Sequence, residues 1–316
     1  MVFRNILFTV VIALTLVACG GGGGGGGGGD SSISYTGSKD QAVIDTTNAK
    51  TMAESSVGGS QTGVVFGVES DNQESQANLT IIGVSKILSS SVRNIEMNDS
   101  VVVLVGAIVN VSETDLLCLD SGSLSFNLSV NDVTGEFSGT FNFNNCREVG
   151  TTISGSMNVS GMINPSIGDI TQMTFSMNSV TVVSGSESLT MSGTISTSFS
   201  GSSFTMTMDV LFKDNASGSV VWFENLSISA TDNISHLEMS ISGRFYHPDY
   251  GYIDIVTNQA FLINYSDLFP FFGIMTITGA NGSSARLTVI DNTQYMLEVD
   301  EDGDSTYDPA TTENWG

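Results

Sequence analysis

Basic residues are scarce in this sequence. Lysine and arginine number 9 against 33 acidic residues, for a formal charge of -24 over 316 residues. A nucleic-acid binder needs a cationic face that displaces counterions from phosphates, so nucleic-acid partners are excluded. Charge of either sign is thin at 13% while apolar residues reach 40%, which excludes an acidic disordered chain. With only four prolines, the chain is neither collagen-like nor a proline-rich linker. Its histidines are His236 and His247 alone, so there is little imidazole for acid–base or metal chemistry. Neither a G-x-S-x-G elbow nor an H-E-x-x-H helix is present. Sequence spacing identifies no carboxylate pair, so a glycosidase reading has no specific support. What is there is polar but uncharged: serine, threonine, asparagine and glycine between apolar positions. That composition fits a β-rich protein outside the cytoplasm.

The N-terminus carries an address. Met1 to Arg4 is a short segment with one cation, and Ile6 to Ala18 is an apolar run broken only by Thr9 and Thr15. This run is too short to span a hydrocarbon core of about 30 Å as a helix, and it matches the apolar region of a signal peptide. It ends in Leu16-Val17-Ala18-Cys19, which resembles the bacterial lipobox, with Cys19 as the lipid-bearing first residue of the mature chain. The alternative is ordinary secretion with Cys19 unmodified. Ten glycines, Gly20 to Gly29, follow. As a flexible coil they reach roughly 17–19 Å, a leash rather than a packed element. The lipoprotein resemblance also implies the outer membrane, because Gly20 stands where an Asp would retain the protein in the inner one. The expected partner is thus the membrane, through the lipid.

Beyond Cys19 there remain Cys118 and Cys146. Three fates are open to them: a disulfide, two free buried thiols, or a metal site. An even pair in an oxidising compartment favours the disulfide. The runs 124–130 and 136–144 between them form a hairpin that returns one cysteine towards the other. Zinc would want closer spacing and neighbouring histidines.

Asp45 to Glu54 has a helix-like start, with Asp or Thr available as the cap and Gly58-Gly59 as the stop. From Asn78 to Ile95 the apolar residues Leu79, Ile82, Val84, Ile87, Leu88, Val92 and Ile95 lie near the helical period, predicting a second helix. From Ser100 the period becomes two. Leu124, Phe126, Leu128 and Val130 alternate with Ser125, Asn127 and Ser129; Phe204, Met206, Met208 and Val210 alternate with Thr205, Thr207 and Asp209. Roughly a dozen such runs predict antiparallel strands with one apolar and one wet face. A short echo recurs around Gly139, Gly155, Gly193 and Gly243, each glycine mid-strand on the apolar side. Glycine there marks a bend, a bulge or close backbone approach. The expectation is a mainly β fold, a strongly curved antiparallel meander (open barrel or clam-like) with N-terminal helices packed on its apolar concave face. Val43, Ile44, Met52, Ile82, Ile87, Leu88, Val92 and Ile95 are the side chains expected to fill that face. The organisation reads as signal peptide 1–18, lipid-anchored Gly/Ser-rich tether 19–40, helical segment 41–98, β domain 99–308 and flexible tail 309–316.

Cys118 to Gly155, Gly243-Arg244-Phe245-Tyr246-His247-Pro248-Asp249-Tyr250-Gly251-Tyr252, and Thr278-Gly279-Ala280 with Asp300-Glu301-Asp302-Gly303-Asp304 together resemble a group of uncharacterised Gram-negative lipoproteins. The likeness covers most of residues 41–308. It implies architecture and address only.

The best metal candidate is the loop Asp300 to Asp308. Asp300, Asp302 and Asp304 alternate and Asp308 can close the loop, a hard oxygen set suited to Ca2+. Against this, Ser305 stands where an EF-hand loop wants Gly, and Thr311 where it wants the bidentate Glu. Without calcium the segment is a solvated acidic loop. His247 beside Asp249 and Tyr250 reads as a base in a cleft or as one side of the turn Pro248-Asp249-Tyr250-Gly251, the turn being the better fit. Methionines recur on the apolar faces, among them Met157, Met173, Met206 and Met208, as core packing or as an adaptable surface for an acyl chain. The reading is an outer-membrane-anchored lipoprotein, non-enzymatic, with a binding or surface role; carriage of a hydrophobic ligand is its sharpest version. The alternatives are an extracytoplasmic enzyme and an integral outer-membrane β-barrel.

Overall fold

The computed structural model describes residues 33–67 and 108–315, apart from residues 119, 149–150, 167–168, 186, 266 and 268. The expected signal peptide, Cys19, the glycine run and the helix expected at 78–95 lie outside the described residues.

Alternation with period two yields one sheet. Its strands are β1 (Ile108–Leu117), β2 (Ser121–Asn131), β3 (Glu136–Glu148), β4 (Thr151–Ile163), β5 (Ile170–Ser184), β6 (Glu187–Ser200) and β7 (Ser203–Asp214). They continue as β8 (Val220–Asp232), β9 (His236–His247), β10 (Gly251–Asn264), β11 (Phe272–Thr278), β12 (Ser284–Val289), β13 (Gln294–Asp300) and β14 (Thr311–Asn314). Every strand pairs antiparallel with its neighbours in sequence, and β1 and β14 are the two ends of an open sheet. The expected meander is therefore present. The tail expected to be flexible instead supplies β14, which pairs with β13 from Thr311↔Leu297 to Asn314↔Gln294. Trp315 then stacks on Phe269 and leans on Tyr295. An unpaired β13 edge and an indole with apolar neighbours are reason enough for these residues to settle.

Register carries the apolar positions onto one face. Phe126 pairs with Phe141, Phe141 with Met157 and Met157 with Met177. Further on, Met206 pairs with Ile228, Ile228 with Ile241, Ile277 with Ala285 and Leu287 with Leu297. All of these side chains are buried and belong to one cluster reaching from β2 to β13. Cys118 and Cys146 are joined by a disulfide, with Cα atoms 5.4 Å apart and a sequence separation of 28. In the chain-entropy view a loop of that length contributes at most about 3–4 kcal/mol.

Glycines break the regularity where expected. Gly155, Gly193 and Gly243 have φ of 117°, 136° and 138°. A Cβ on Gly193 would lie 2.1 Å from the Asp209 carbonyl oxygen, and one on Gly243 2.6 Å from that of Asn225. The ladder shifts register beside them, between Met177 and Val180 on β5 and between Glu224 and Ser227 on β8. Such bulges bend a strand and raise its twist. Gly139 shows the second use of glycine: its Cβ would sit 2.1 Å from the Asn127 carbonyl oxygen.

The break is largest between β9 and β10, where regular pairing stops at Ile253↔Phe245 and resumes at Phe261↔Met239. A side chain fills in for the missing backbone partner. The Ile241 N–H donates to Thr257 Oγ1 at 2.8 Å, and that hydroxyl donates to the Ile241 carbonyl at 3.0 Å.

Residues 33–48 strap across the ends of β9 to β12. Ala42 donates to the Tyr252 carbonyl, Tyr252 donates to that of Asp40, and Ala280 donates to that of Ala42. Gly251 and Gly279 allow this approach: a Cβ would fall 2.1 Å from Asp40 O at the first and 2.3 Å from Ala42 O at the second. Ile44 is fully buried, and its N–H donates to Ser283 Oγ. Val43, expected in the core, is 46% exposed, because the extended strap alternates and Ala42 and Ile44 take the inner positions.

The helix α1 (Ala49–Gly67) follows. Asp45 caps it, accepting the N–H groups of Thr47 and Asn48, while its own N–H donates to Asn48 Oδ1. Its buried residues are Ala49, Met52, Ala53, Ser56 and Val57, a stripe of helical period. The helix lies against β7, β8, β9 and β12. Gly58-Gly59, expected to end it, lies within it. Two glycines cost about 2 kcal/mol of propensity relative to alanine. Met52 and its neighbours, packed at the other end of the helix, offset that.

Replacing Thr257 with Val removes the hydroxyl and leaves two backbone groups of Ile241 unpaired, at about 1–3 kcal/mol each. The denaturant midpoint of Thr257→Val is expected to fall by the equivalent of about 2–4 kcal/mol. Thr257→Ser, which keeps the hydroxyl, is expected to stay near the wild type.

Candidate functional site

The acidic loop follows β13. Asp300 is 3% exposed, and its carboxylate accepts the N–H groups of Gly303 at 2.9 Å and Ser305 at 3.0 Å. Asp302 and Asp304 are exposed, and each accepts a backbone N–H two residues on. The structure brings Asp300, Asp302 and Asp304 together, with one oxygen of each within 4.8 Å of the others. It does not bring Asp308 to them; that residue is exposed and its N–H donates to the Val299 carbonyl. Ser305 adopts φ 69°, the left-handed turn that glycine takes without cost. The buried carboxylate is thus already served by backbone donors of its own loop, and two exposed carboxylates remain for an ion.

His247, at the end of β9, is 5% exposed and stacks on Tyr250 at 4.6 Å. Its Nδ1 accepts the Asp249 N–H at 3.2 Å, so that lone pair belongs to the turn. Burial pushes the imidazole below its ordinary pKa, and the Asp249 carboxylate opposes that shift without reversing it. That carboxylate lies 4.0 Å away and is largely exposed. The arrangement holds a hairpin end together.

The outer face is more distinctive. Opposite the apolar face, short hydroxyl and amide side chains align across strands. One row runs from Ser129 through Ser138, Ser160, Thr174, Ser196 and Thr207 to Ser227 and Ser242, strand by strand from β2 to β9. A second runs from Asn127 through Thr140, Asn158, Ser176 and Thr194 to Asp209 on β7. None of these residues is buried. Several bond sideways: Thr140 donates to Asn158 Oδ1 at 3.0 Å, and the Thr174 and Ser196 hydroxyls are 3.0 Å apart. Cross-strand pairs of this type contribute roughly 0.2–1 kcal/mol each.

The rows end on an aromatic and charged cluster. Trp222 on β8 and Tyr246 on β9 stack with ring centres 4.4 Å apart, and Tyr252 on β10 lies 5.3 Å from Tyr246. Tyr35 of the strap meets Tyr246 edge-on at 5.5 Å. The Tyr35 hydroxyl donates to the Ser38 and His247 carbonyls, and burial pushes it up to about 12. Arg244 lies 4.0 Å over the Tyr252 ring and pairs with Asp254 at 2.9 Å and Glu224 at 3.4 Å. The Asp254 hydrogen bond holds the guanidinium further above its already high range. Trp222 Nε1 donates to Asp209 Oδ1 at 2.7 Å, which ties the cluster to the second hydroxyl row.

Sequence reasoning singled out Arg244, Tyr246 and Tyr252 only within a stretch of resemblance and Asp209 only as a polar strand position, and it missed Tyr35, Trp222 and Glu224. Their one signal was the rarity of Trp and Arg on otherwise Ser/Thr strand faces. Among the described residues, no helix is long and apolar enough to cross a membrane. Compared with known proteins, the chain matches no family model, no curated protein and no solved structure.

Because Asp300 is satisfied by its own loop, millimolar calcium is expected to raise the melting temperature by about 2 °C at most over chelator, as for a site filled only near its Kd. Asp300→Ala is expected to lower the melting temperature equally with and without calcium. A large calcium-dependent shift that Asp302→Ala abolishes would instead establish the metal site.

Proposed function

We propose that this protein is an extracytoplasmic lipoprotein, anchored in the outer membrane through Cys19, that acts without catalysis by binding a partner on the outer face of its sheet. One observation supports the choice of face. The apolar side is occupied by the chain's own side chains, Ile44, Met52, Ala53 and Val57 lying in the same buried cluster as the strands. On this reading the sheet curls with that side inward around the strap and α1, and its concave interior serves as core. An acyl chain entering it would have to displace packed side chains, at the energetic cost of opening a cavity of its own size. The methionines of that face then act as fillers of an irregular core.

The exterior is Ser/Thr/Asn over most of its strands. A barrel embedded in lipid shows the reverse, with apolar residues outward at membrane depth. The polar exterior favours a body held in water by a tether, in keeping with the lipobox and the glycine leash.

Metabolic labelling with an alkyne fatty acid tests the anchor. The wild-type chain is expected to take up label and partition with membranes, and Cys19→Ala to lose both. Label retained by Cys19→Ala would overturn the anchor.

A further inference from the structure

We infer that the outer face from the hydroxyl rows to the Trp222 cluster binds an extended, uncharged polysaccharide. The inference rests on the reading of that face as the binding surface and names the partner. Four observations on the molecule bear on its chemistry.

First, the cluster offers aromatic surface fixed in place. Trp222 stacks on Tyr246, Tyr252 lies tilted against Tyr246, and Tyr35 braces them from the strap. Rings held this way supply contact area at little entropic cost and suit the C–H faces of sugar rings. Trp222 keeps partial exposure, while Tyr246 beneath it is buried.

Second, planar polar groups flank the rings. Asp209, Glu224, Arg244 and Asp254 are oriented by one another and by Trp222 and Tyr246. Carboxylates and guanidinium in fixed positions are what vicinal sugar hydroxyls hydrogen-bond to.

Third, the surface leading away from the cluster is uncharged and hydroxylated. Between Thr140 and Asp209 the second row holds only Asn158, Ser176 and Thr194. Each of these side chains both donates and accepts, matching a partner made of hydroxyl groups. They are short, so ordering them costs little. The row from β2 to β9 crosses seven strand spacings, about 33 Å, which suits a polymer rather than a single sugar.

Fourth, the charge of the chain selects against an anionic polymer. At -24 the protein repels sulfated or uronic polysaccharides at long range, and the rows carry no cations to reverse this. An uncharged polymer is indifferent to that field. The two rows hold no apolar side chain, whereas a protein partner would want apolar area at the core of its contact.

Affinity electrophoresis of the full-length protein in detergent tests the inference, in native gels containing a linear β-glucan, an α-glucan or a galactomannan, with dextran sulfate as the anionic control. At least one neutral polymer is expected to retard the protein, and dextran sulfate is not. Trp222→Ala is expected to weaken retention about tenfold, as for an aromatic anchor. Because Trp222 also packs on Tyr246, a second variant places Ser176→Lys alone in the exposed middle of the row, which leaves the Thr140–Asn158 hydrogen bond intact. This variant is expected to melt like the wild type and still lose retention. Retardation by none of the neutral polymers, equal retardation by dextran sulfate, or retention untouched in the row variant would each overturn the inference. Loss of glycan retention with Cys19 labelling intact would remove the polysaccharide and leave the anchored protein. Retention intact in a chain without label would do the reverse.

Discussion

A sheet with one apolar face must hide that face, and everything else in this structure follows from how it does so. From β2 to β13 the inward positions are mostly Leu, Ile, Val, Phe and Met, and they form a single buried cluster. Two sheets in a sandwich would share the task; here one continuous sheet has it all. Twist alone, about 20–25° per strand, does not turn a ladder sharply. The bulges at Gly155, Gly193 and Gly243 supply additional bending within the strands. Where pairing opens between β9 and β10, Thr257 keeps the N–H and carbonyl of Ile241 hydrogen-bonded.

The N-terminal strap and α1 belong to the same solution. Asp40, Ala42 and Ile44 add hydrogen bonds at the ends of β9 to β12, and glycines at 37, 251 and 279 clear the space. From there the chain enters α1, whose inner stripe joins the core. Glu54 accepts the Tyr295 hydroxyl at 2.8 Å and Lys50 reaches Glu313 at 2.6 Å, linking the helix to β13 and β14. Residues 38–44 are thus tied to the ends of four strands.

Much of this was legible in the sequence, because period two is a property of the strand backbone and survives in any sheet. Leu124 to Val130 and Phe204 to Val210 announced their faces without tertiary information, and Gly193 and Gly243 announced bends. What was hidden depends on neighbours. Val43 rather than Ala42 looked like the core residue because it is larger, but the strap's register decided. Gly58-Gly59 read as a helix stop, yet α1 passes through it because packing outweighs propensity. The strand Thr311–Asn314 looks like a polar tail until β13 offers it an edge. The outer cluster was least legible: Tyr35, Asp209, Trp222 and Arg244 are scattered over more than 200 residues and meet only through register.

The central claim is that the strap, α1 and the sheet form one cooperative core. Native-state hydrogen exchange tests it most directly. The amides of Ala42 and Met52, each hydrogen-bonded to backbone, are compared with those of Met206 and Ile228 in the sheet centre. If the core is one unit, all four exchange through global unfolding and give the same opening free energy, shifting together with denaturant. Exchange of Ala42 and Met52 through a separate, much smaller opening would contradict the claim and show the sheet able to keep its apolar face covered without them.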